Sequence, residues 1–314
     1  LPPWNPHRLA DLGCAPFRDV LRAALCGAGG VRIDHILGLF RLWWIPAGAG
    51  AAAGTYVHYD HQALLAALAV EAHRAEAMVI GEDLGTVPPY VARALSDHGI
   101  LGSEVLWFAR DASDPSRPRR PAEWRAAAAA SVTTHDLPTA AGFLTGDHVR
   151  LRAEVGLLGH GEAVEAARAA EERQALLDLL RTEGLLPLVP DGEPLVPDGE
   201  PPDAQEIVLA LHAVLARTPC QILLACPGDA LGDLRQPNLP GTDRYPNWRM
   251  PLAVPTPSGP RPVPLEEFLA SPATRRLAEV LRAPSGVRPG RDQPETATPP
   301  AHLASRGRSL QDEV

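Results

Sequence analysis

The chain contains no lysine, so all 29 of its basic residues are arginines. This absence excludes chemistry that needs a lysine amine: a Schiff base with a carbonyl substrate, a pyridoxal-phosphate anchor, or the lysine of a P-loop. The alanine- and glycine-rich stretch 47–55 superficially resembles a phosphate loop, and for the same reason we interpret it as a flexible loop. With 38 acidic residues the net charge is −9, which argues against a nucleic-acid or anionic-membrane partner.

Cysteines are few, and the four that occur (Cys14, Cys26, Cys220 and Cys226) form no C-x-x-C pair. The sequence shows neither a secretory leader nor an apolar run long enough to cross a membrane. We therefore expect reduced, buried thiols in a cytoplasmic protein without a membrane partner.

The segment 58–61 resembles a metal site because it combines two histidines with an aspartate. His58 and His61 are three residues apart instead of the four that place two ligands on one face of a helix, and no cysteine lies nearby. We interpret Asp60 as the N-cap of the following helix, 61–76, and expect no bound metal.

The most informative stretch is the segment 30–35, Gly-Val-Arg-Ile-Asp-His. Val31 and Ile33 are β-branched and favour an extended backbone, which places Arg32 and Asp34 on the same face of a strand. An arginine beside a carboxylate favours its ionised form, and an ionised carboxylate at a strand end can act as a nucleophile. On the hexapeptide alone, a structural Arg–Asp pair at a strand end is the favoured interpretation.

Two further apolar runs also end in carboxylates: residues 78–85 contain Glu82, and residues 131–136 end in Asp136. Helical patterns separate the three runs, which is typical of a parallel barrel whose chemistry sits at the carboxyl ends of its strands. The runs 103–108 and 220–225 add two more candidate strands. The pattern thus predicts five βα units, whereas eight close such a barrel.

These residues resemble the 4-α-glucanotransferases, also called amylomaltases or disproportionating enzymes, which are barrel relatives of the α-amylases. The motifs follow the family's order from about Leu1 to Leu252: Arg32-Ile33-Asp34-His35, Gly81-Glu82-Asp83-Leu84-Gly85, Thr134-His135-Asp136, and Asn238-Leu239-Pro240-Gly241-Thr242 with Asn247-Trp248. The resemblance implies an α/β fold, a (β/α)8 TIM barrel of which strands 4–8 are present with helical insertions. Strands one to three would then precede residue 1.

The resemblance also implies roles for the acids in a retaining double displacement. Asp34 would be the nucleophile, Glu82 the general acid/base, and Asp136 the residue that binds and distorts the sugar at the cleaved bond. Arg32 would hold Asp34 ionised. His135 would donate to a sugar hydroxyl, or alternatively bond to the backbone at its strand end. The predicted substrate-binding residues are Arg32, His135, Tyr56, Tyr59 and Asn238.

The connection 36–60 is unusually long, and long loops in compact domains are usually functional or disordered. It carries Trp43, Trp44, Tyr56 and Tyr59. Aromatic rings suit the apolar faces of sugars, although the two adjacent tryptophans could equally pack against the barrel. We favour substrate contact for the two tyrosines.

The rest of the chain predicts three parts. Residues 1–252 would form the C-terminal portion of the catalytic barrel, with a helical insertion at about 147–202 and an alanine-rich helix at 121–130. Residues 253–282 would form a C-terminal barrel helix region, and the polar segment 283–314 a disordered tail. The tandem repeat within 187–200, Pro-Leu-Val-Pro-Asp-Gly-Glu twice, predicts a solvated surface loop.

The favoured function is a cofactor-independent 4-α-glucanotransferase that moves segments of α-1,4-glucans between malto-oligosaccharides. An α-amylase-like hydrolase is the first alternative, distinguished by products from maltotriose that are all shorter than the substrate. A non-catalytic glucan-binding fragment is the second, distinguished by retention on amylose without turnover. Because three strands would be missing, we expect residues 1–314 alone to be inactive and prone to aggregate.

Overall fold

The computed structural model describes residues 2–187 and 203–282, which form a mixed α/β fold. Its strands are β1 (Gly30–Ile33), β2 (Arg41–Trp44), β3 (Thr55–His58), β4 (Met78–Gly81), β5 (Gly102–Val105), β6 (Ala128–Ser131), β7 (Ile222–Leu224), β8 (Ala253–Val254) and β9 (Arg261–Pro262). Its helices are α1 (Pro6–Asp11), α2 (Ala15–Leu25), α3 (His61–Arg74), α4 (Pro89–Asp97), α5 (Ala140–Leu144), α6 (Asp147–Glu154), α7 (Glu162–Thr182), α8 (Ala204–Ala216), α9 (Pro227–Leu231), α10 (Leu265–Ala270) and α11 (Pro272–Arg282).

Five parallel strands follow one another in chain order. β1 pairs with β4, and β5, β6 and β7 form a three-stranded sheet. A parallel bridge between Ile80 and Leu101 joins the two groups, with a 2.7 Å bond from Gly81 N to the Leu101 carbonyl. The carboxyl ends of all five strands therefore meet at one edge, where the loops that follow them can share a site.

Two apolar clusters support this series of strands. The first surrounds β1 and β4 and is built mainly from α2, α3 and α4; its members include Leu21, Leu65, Leu68, Val91 and Leu95. The second surrounds β5 and β6 and is built mainly from α5, α7 and α8; its members include Val105, Phe143, Leu180, Leu211 and Leu215. Each large apolar side chain buried in this way stabilises the fold by ~1.5–3 kcal/mol.

The prediction of an alanine-rich helix over 121–130 is wrong. Residues Pro121–Glu123 form one 3₁₀ turn, and the alanines continue as the buried strand β6, which ends at Ser131. Alanine favours helices in isolation, but tertiary packing overrides that preference. Here β6 lies between two parallel neighbours, where its small side chains are almost fully buried. Of the run 131–136 that the sequence predicts as a strand, only Ser131 belongs to β6.

The connection 36–60 is not one structureless loop. A 3₁₀ turn over Ile36–Leu39 leads into β2, which pairs antiparallel with β3. The pairing sets Trp43 opposite Tyr56, so the aromatic residues noted in the sequence lie on a hairpin. The alanine- and glycine-rich stretch is the tip of this hairpin and its entry to β3.

The remaining predictions have mixed outcomes. Asp60 does cap α3, because its Oδ1 accepts the Ala63 N–H at 3.1 Å. Cys14 is buried, but Cys26 is exposed, so burial of all four thiols was wrong. Residues 188–200 of the repeat and the predicted tail 283–314 lie outside the described residues. Among the described helices, none combines the length and apolar character needed to cross a membrane.

Candidate active site

The parallel register of β1 and β4 brings the first two acids together. Ile33 is paired with Gly81 at the ends of β1 and β4. Asp34 and Glu82 are the next residues of the two strands, so they leave the sheet side by side. The Glu82 N–H donates to the Ile33 carbonyl at 2.9 Å, which fixes their alignment. One carboxylate oxygen of Asp34 lies within 4.8 Å of one carboxylate oxygen of Glu82. A pair of carboxyl groups about 5 Å apart is the spacing of retaining glycosidases.

Asp34 is open to solvent but electrostatically paired. Its Oδ1 accepts from Arg32 Nη1 at 2.8 Å, and 59% of its side chain is exposed. Among the described residues its Oδ2 has no arginine partner, and it lies 3.6 Å from His35 Nε2. Arg32 thus contacts the carboxylate through one oxygen only.

Glu82 is held more tightly and is nearly buried, with 9% of its side chain exposed. Its Oε2 accepts the His35 backbone N–H at 2.9 Å, and its Oε1 accepts the Leu84 N–H at 2.8 Å. His35 reaches this position with φ +47°, in the left-handed region that few non-glycine residues adopt. Such strain is common at functional sites, where the surrounding structure maintains it.

His35 belongs to the motif 32–35, although its sequence context predicts no role for it. Its ring lies between the two acids, with Nε2 toward Asp34 and Nδ1 3.3 Å from Glu82 Oε2. The three side chains could in principle surround a metal ion. However, the two ring nitrogens face different acids, and Arg32 brings a positive charge to Asp34, which opposes a cation there. We therefore keep the prediction that the site works without a metal.

A network of charged side chains surrounds Asp83, the residue that follows Glu82. Asp83, which is 8% exposed, accepts Arg125 Nη1 at 2.6 Å and Nη2 at 3.1 Å, and also the Ser103 N–H at 2.9 Å. Arg125 crosses β5 at Gly102, where an added Cβ would lie 2.3 Å from the guanidinium. A side chain at that position would block the arginine from reaching Asp83. Glycine at 102 thus permits this close approach, and a methyl group there would have to push the guanidinium aside.

The third acid, Asp136, is held by a segment about a hundred residues further along the chain. Its Oδ1 accepts from Asn238 Nδ2 at 2.6 Å, and its carbonyl accepts from Gln236 Nε2 at 2.7 Å. The Asn238 N–H donates to the His135 carbonyl at 3.0 Å. Three hydrogen bonds therefore fasten the loop after β6 to the segment after α9.

His135 lies beside Asp136 and contacts Trp248. Their ring centroids are 5.0 Å apart, and His135 Nε2 lies 3.5 Å from Asp136 Oδ1. Trp248 is 65% exposed and has φ +60°. An exposed tryptophan in a left-handed conformation has the features of a ligand contact. The sequence motif contains Trp248, yet no sequence signal predicts its backbone strain.

The two predicted tyrosines differ. Tyr56 is 50% exposed on the hairpin, edge-on to Trp43 at 4.9 Å between ring centroids, with Arg41 over its face. Tyr59 is only 8% exposed, lies in the first apolar cluster and donates to the Trp4 carbonyl at 2.7 Å. Packing and this bond leave little of its ring exposed, so the described structure favours a structural role for Tyr59 over the predicted sugar contact. Trp44 likewise packs against that cluster.

The chain is similar to proteins of one family. The sequence profile of glycoside hydrolase family 77, 4-alpha-glucanotransferase, matches residues 1–255. A 4-alpha-glucanotransferase of Mycobacterium bovis is 50% identical over 285 residues, which cover 90% of this chain and 38% of the relative. One of Haemophilus influenzae is 38% identical over 259 residues, covering 81% of this chain and 36% of the relative.

A solved structure agrees. The crystal structure of amylomaltase from Corynebacterium glutamicum matches with a TM-score of 0.81 at 40% identity, covering 89% of this chain and 39% of that one. The chain thus spans less than two-fifths of the length of these three proteins.

Proposed function

The chain belongs to the 4-α-glucanotransferases of glycoside hydrolase family 77, and we propose that it carries the catalytic carboxylates of a retaining glucanotransferase. Membership confirms the resemblance drawn from the sequence motifs. We further propose that the five parallel strands β1, β4, β5, β6 and β7 are the fourth to eighth strands of a (β/α)8 barrel. The observation that carries the proposed function is the pairing of Asp34 and Glu82, one oxygen of each within 4.8 Å of the other, at neighbouring strand ends.

In the first half-reaction, Asp34 Oδ2 attacks the anomeric carbon as the bond to the leaving glycosidic oxygen breaks. Glu82 donates its proton to that oxygen, so a covalent glucosyl ester and a shortened glucan result. In the second half-reaction, Glu82 takes the proton from the 4-hydroxyl of an acceptor glucan as this oxygen displaces Asp34. The Arg32 contact at Oδ1 supports the nucleophile's charge in both steps.

The other half of the site binds the sugar. Asp136, oriented by Asn238, presents an acceptor to the hydroxyls of the glucosyl unit at the cleaved bond. His135 offers a donor beside it, and the exposed ring of Trp248 offers an apolar face for stacking. We assign Tyr56 with Trp43 to a more distant glucan contact on the hairpin. No cofactor is needed, and a cytoplasmic location remains a prediction.

The function is tested with the protein as its gene encodes it, including any sequence that flanks residues 1–314. Incubated with maltotriose, it should give glucose together with maltopentaose and longer chains. Products no longer than maltotriose would instead support an α-amylase-like hydrolase. Retention on amylose without turnover would support a non-catalytic glucan-binding protein.

A variant of the acid/base sharpens this test. Glu82→Gln should slow transfer from maltotriose by about 10²–10⁴-fold, because it removes the proton donor. A maltosyl fluoride donor has a leaving group that needs no proton, so its first step should be much less affected. The exposed Asp178→Asn on α7 serves as the matched control. Equal losses of the first step on both donors, followed as single-turnover release of the leaving group, would contradict the proton-donor role of Glu82.

A further inference from the structure

A buried polar pair lies between α8 and α9, outside the catalytic carboxylates. The side chains of His212 and Asp229 are both 0% exposed, and His212 Nε2 lies 3.5 Å from Asp229 Oδ2. Within residues 2–187 and 203–282, neither atom has a hydrogen-bond partner, and each is the nearest charged or titratable partner found for the other. Buried polar atoms are nearly always hydrogen-bonded, and a proton shared between these two atoms would satisfy both.

The opposite end of each side chain is already fixed. His212 Nδ1 is 2.8 Å from the Val208 carbonyl, which can only accept, so Nδ1 carries a hydrogen. Asp229 Oδ1 accepts the Ala140 backbone N–H at 2.7 Å. Two arrangements remain: a protonated Asp229 that donates to Nε2, or an imidazolium that donates to a carboxylate.

Burial favours the uncharged arrangement. It raises the pKa of Asp229 to about 7 and lowers the pKa of His212 to about 4. The neighbouring Cys226 stays a neutral thiol, because burial raises its pKa to about 11. Asp233 is paired with Arg235 at 2.7 Å, and α5 presents to Asp229 only the Ala140 amide. No second cation therefore stabilises an Asp229 carboxylate in the described part of the chain.

The segment 229–236 contacts both ends of the Asp136 loop, residues 136–140. Ala140, whose N–H binds Asp229, lies four residues after Asp136. Thr139 Oγ1 donates to the Asp233 carbonyl at 2.6 Å, and Gln236 Nε2 donates to the Asp136 carbonyl at 2.7 Å. A shift of Asp229 would therefore move the start of α5 and, with it, Asp136.

We propose that His212 and Asp229 form a neutral hydrogen-bonded pair with its proton on Asp229 Oδ2, and that this pair positions the Asp136 loop through the Ala140 N–H. Asp229 and His212 are positioning residues, since neither faces the reacting atoms. The positioning role rests on the proposed function of Asp136, whereas the protonation state does not.

The test compares Asp229→Asn with Asp229→Ala at pH 6 in the protein as its gene encodes it. Asparagine keeps both bonds of the neutral pair, since its oxygen accepts from Ala140 and its amide donates to Nε2. We expect Asp229→Asn to retain at least about a third of the parent kcat and to melt within about 2 °C of the parent. Alanine leaves Nε2 and the Ala140 N–H without partners, so we expect kcat to fall about tenfold or more, with KM little changed.

Hydrogen exchange of the peptide that contains Ala140 provides a readout independent of catalysis. Exchange should match the parent in Asp229→Asn and be about tenfold faster in Asp229→Ala.

Equal losses of kcat and of exchange protection in both variants would show that the negative charge is needed, and would overturn the neutral pair. Parent-like exchange and kcat in Asp229→Ala would overturn the positioning role. If Asp229→Ala does not fold, Asp229→Asn still distinguishes the two arrangements. An ion pair in the parent would make this variant melt at a much lower temperature than the parent. An inactive parent with the expected exchange pattern would count against the proposed function alone.

Discussion

The two halves of the candidate site are held in different ways. Asp34 and Glu82 follow neighbouring strands, and their immediate supports are an arginine two residues away and backbone N–H groups of the same loops. Asp136 is oriented by the side chains of Asn238 and Gln236, 102 and 100 residues along the chain, and its loop is fastened to a buried uncharged pair. The first half depends on strand register and charge. The second depends on long-range hydrogen bonds.

The largest effect should come from replacing the proposed nucleophile, Asp34, in the first half of the site. Asp34→Asn keeps the shape of the side chain but removes the charge that attacks the anomeric carbon. We expect transfer from maltotriose to fall by about 10³-fold or more, while binding of the oligosaccharide stays measurable by calorimetry. Transfer at more than a few per cent of the parent rate would show that Asp34 has another role.

The charge network around Asp83 should produce the next largest effect. Arg125→Met leaves Asp83 buried without its bidentate partner, which should destabilise the protein by about 3 kcal/mol and displace Glu82 enough to lower kcat about tenfold. Chemical denaturation and initial rates measure the two effects.

Gly102→Ala is the matched test of the same network, because its Cβ would displace the guanidinium without removing either charge. It should show a smaller loss in the same direction. Parent-like stability in both variants would mean that Arg125 does not support this half of the site.

The difference between the halves also explains what the sequence could predict. Asp34 and Glu82 could be placed together because each ends a short apolar run and parallel strand ends meet at one edge. The supports of Asp136 could not be derived this way, since nothing local in Gln236 or Asn238 indicates contacts 100 residues away; only the family motif pointed to Asn238. The strained φ of His35 and Trp248 likewise arises from tertiary structure.

The misassigned segment 121–130 has a related cause. Its alanines carry no alternating pattern, so local propensity favours a helix, and only the pairing with β5 and β7 makes β6 a strand. The aromatic residues of the hairpin were noted, but Tyr59 could not be separated from Tyr56 by sequence. One packs inward and donates to Trp4, and the other remains exposed.

A more modest effect should follow from replacing Asn238, whose amide orients Asp136 in the second half of the site. Asn238→Ala removes the 2.6 Å bond to Asp136, a charge-assisted bond worth about 1.5–3 kcal/mol. Because 45% of the Asp136 side chain is exposed, water replaces part of this bond. We therefore expect kcat/KM for maltotriose to fall about tenfold, with little change in the melting temperature. Asn238→Asp, which sets two carboxylates together, should cost more; an unchanged kcat/KM in both variants would exclude this support.

A further effect is expected in the pH dependence of stability, and it tests the contrast between charged and uncharged support. In the folded protein the pKa of Asp229 is raised to about 7 from 3.8, so this group alone would make stability fall as pH rises from about 4 to 7. The pKa of His212 is lowered to about 4 from 6.5, so the histidine alone would make stability rise between about 4 and 6.5. In the parent the two contributions oppose each other.

Asp229→Asn leaves only the histidine, so the melting temperature of this variant relative to the parent should rise from pH 4.5 to 6.5. His212→Asn leaves only the acid and should show the opposite slope, measured by calorimetry at constant ionic strength. Slopes of the same sign in the two variants would refute the uncharged pair as the support of this half.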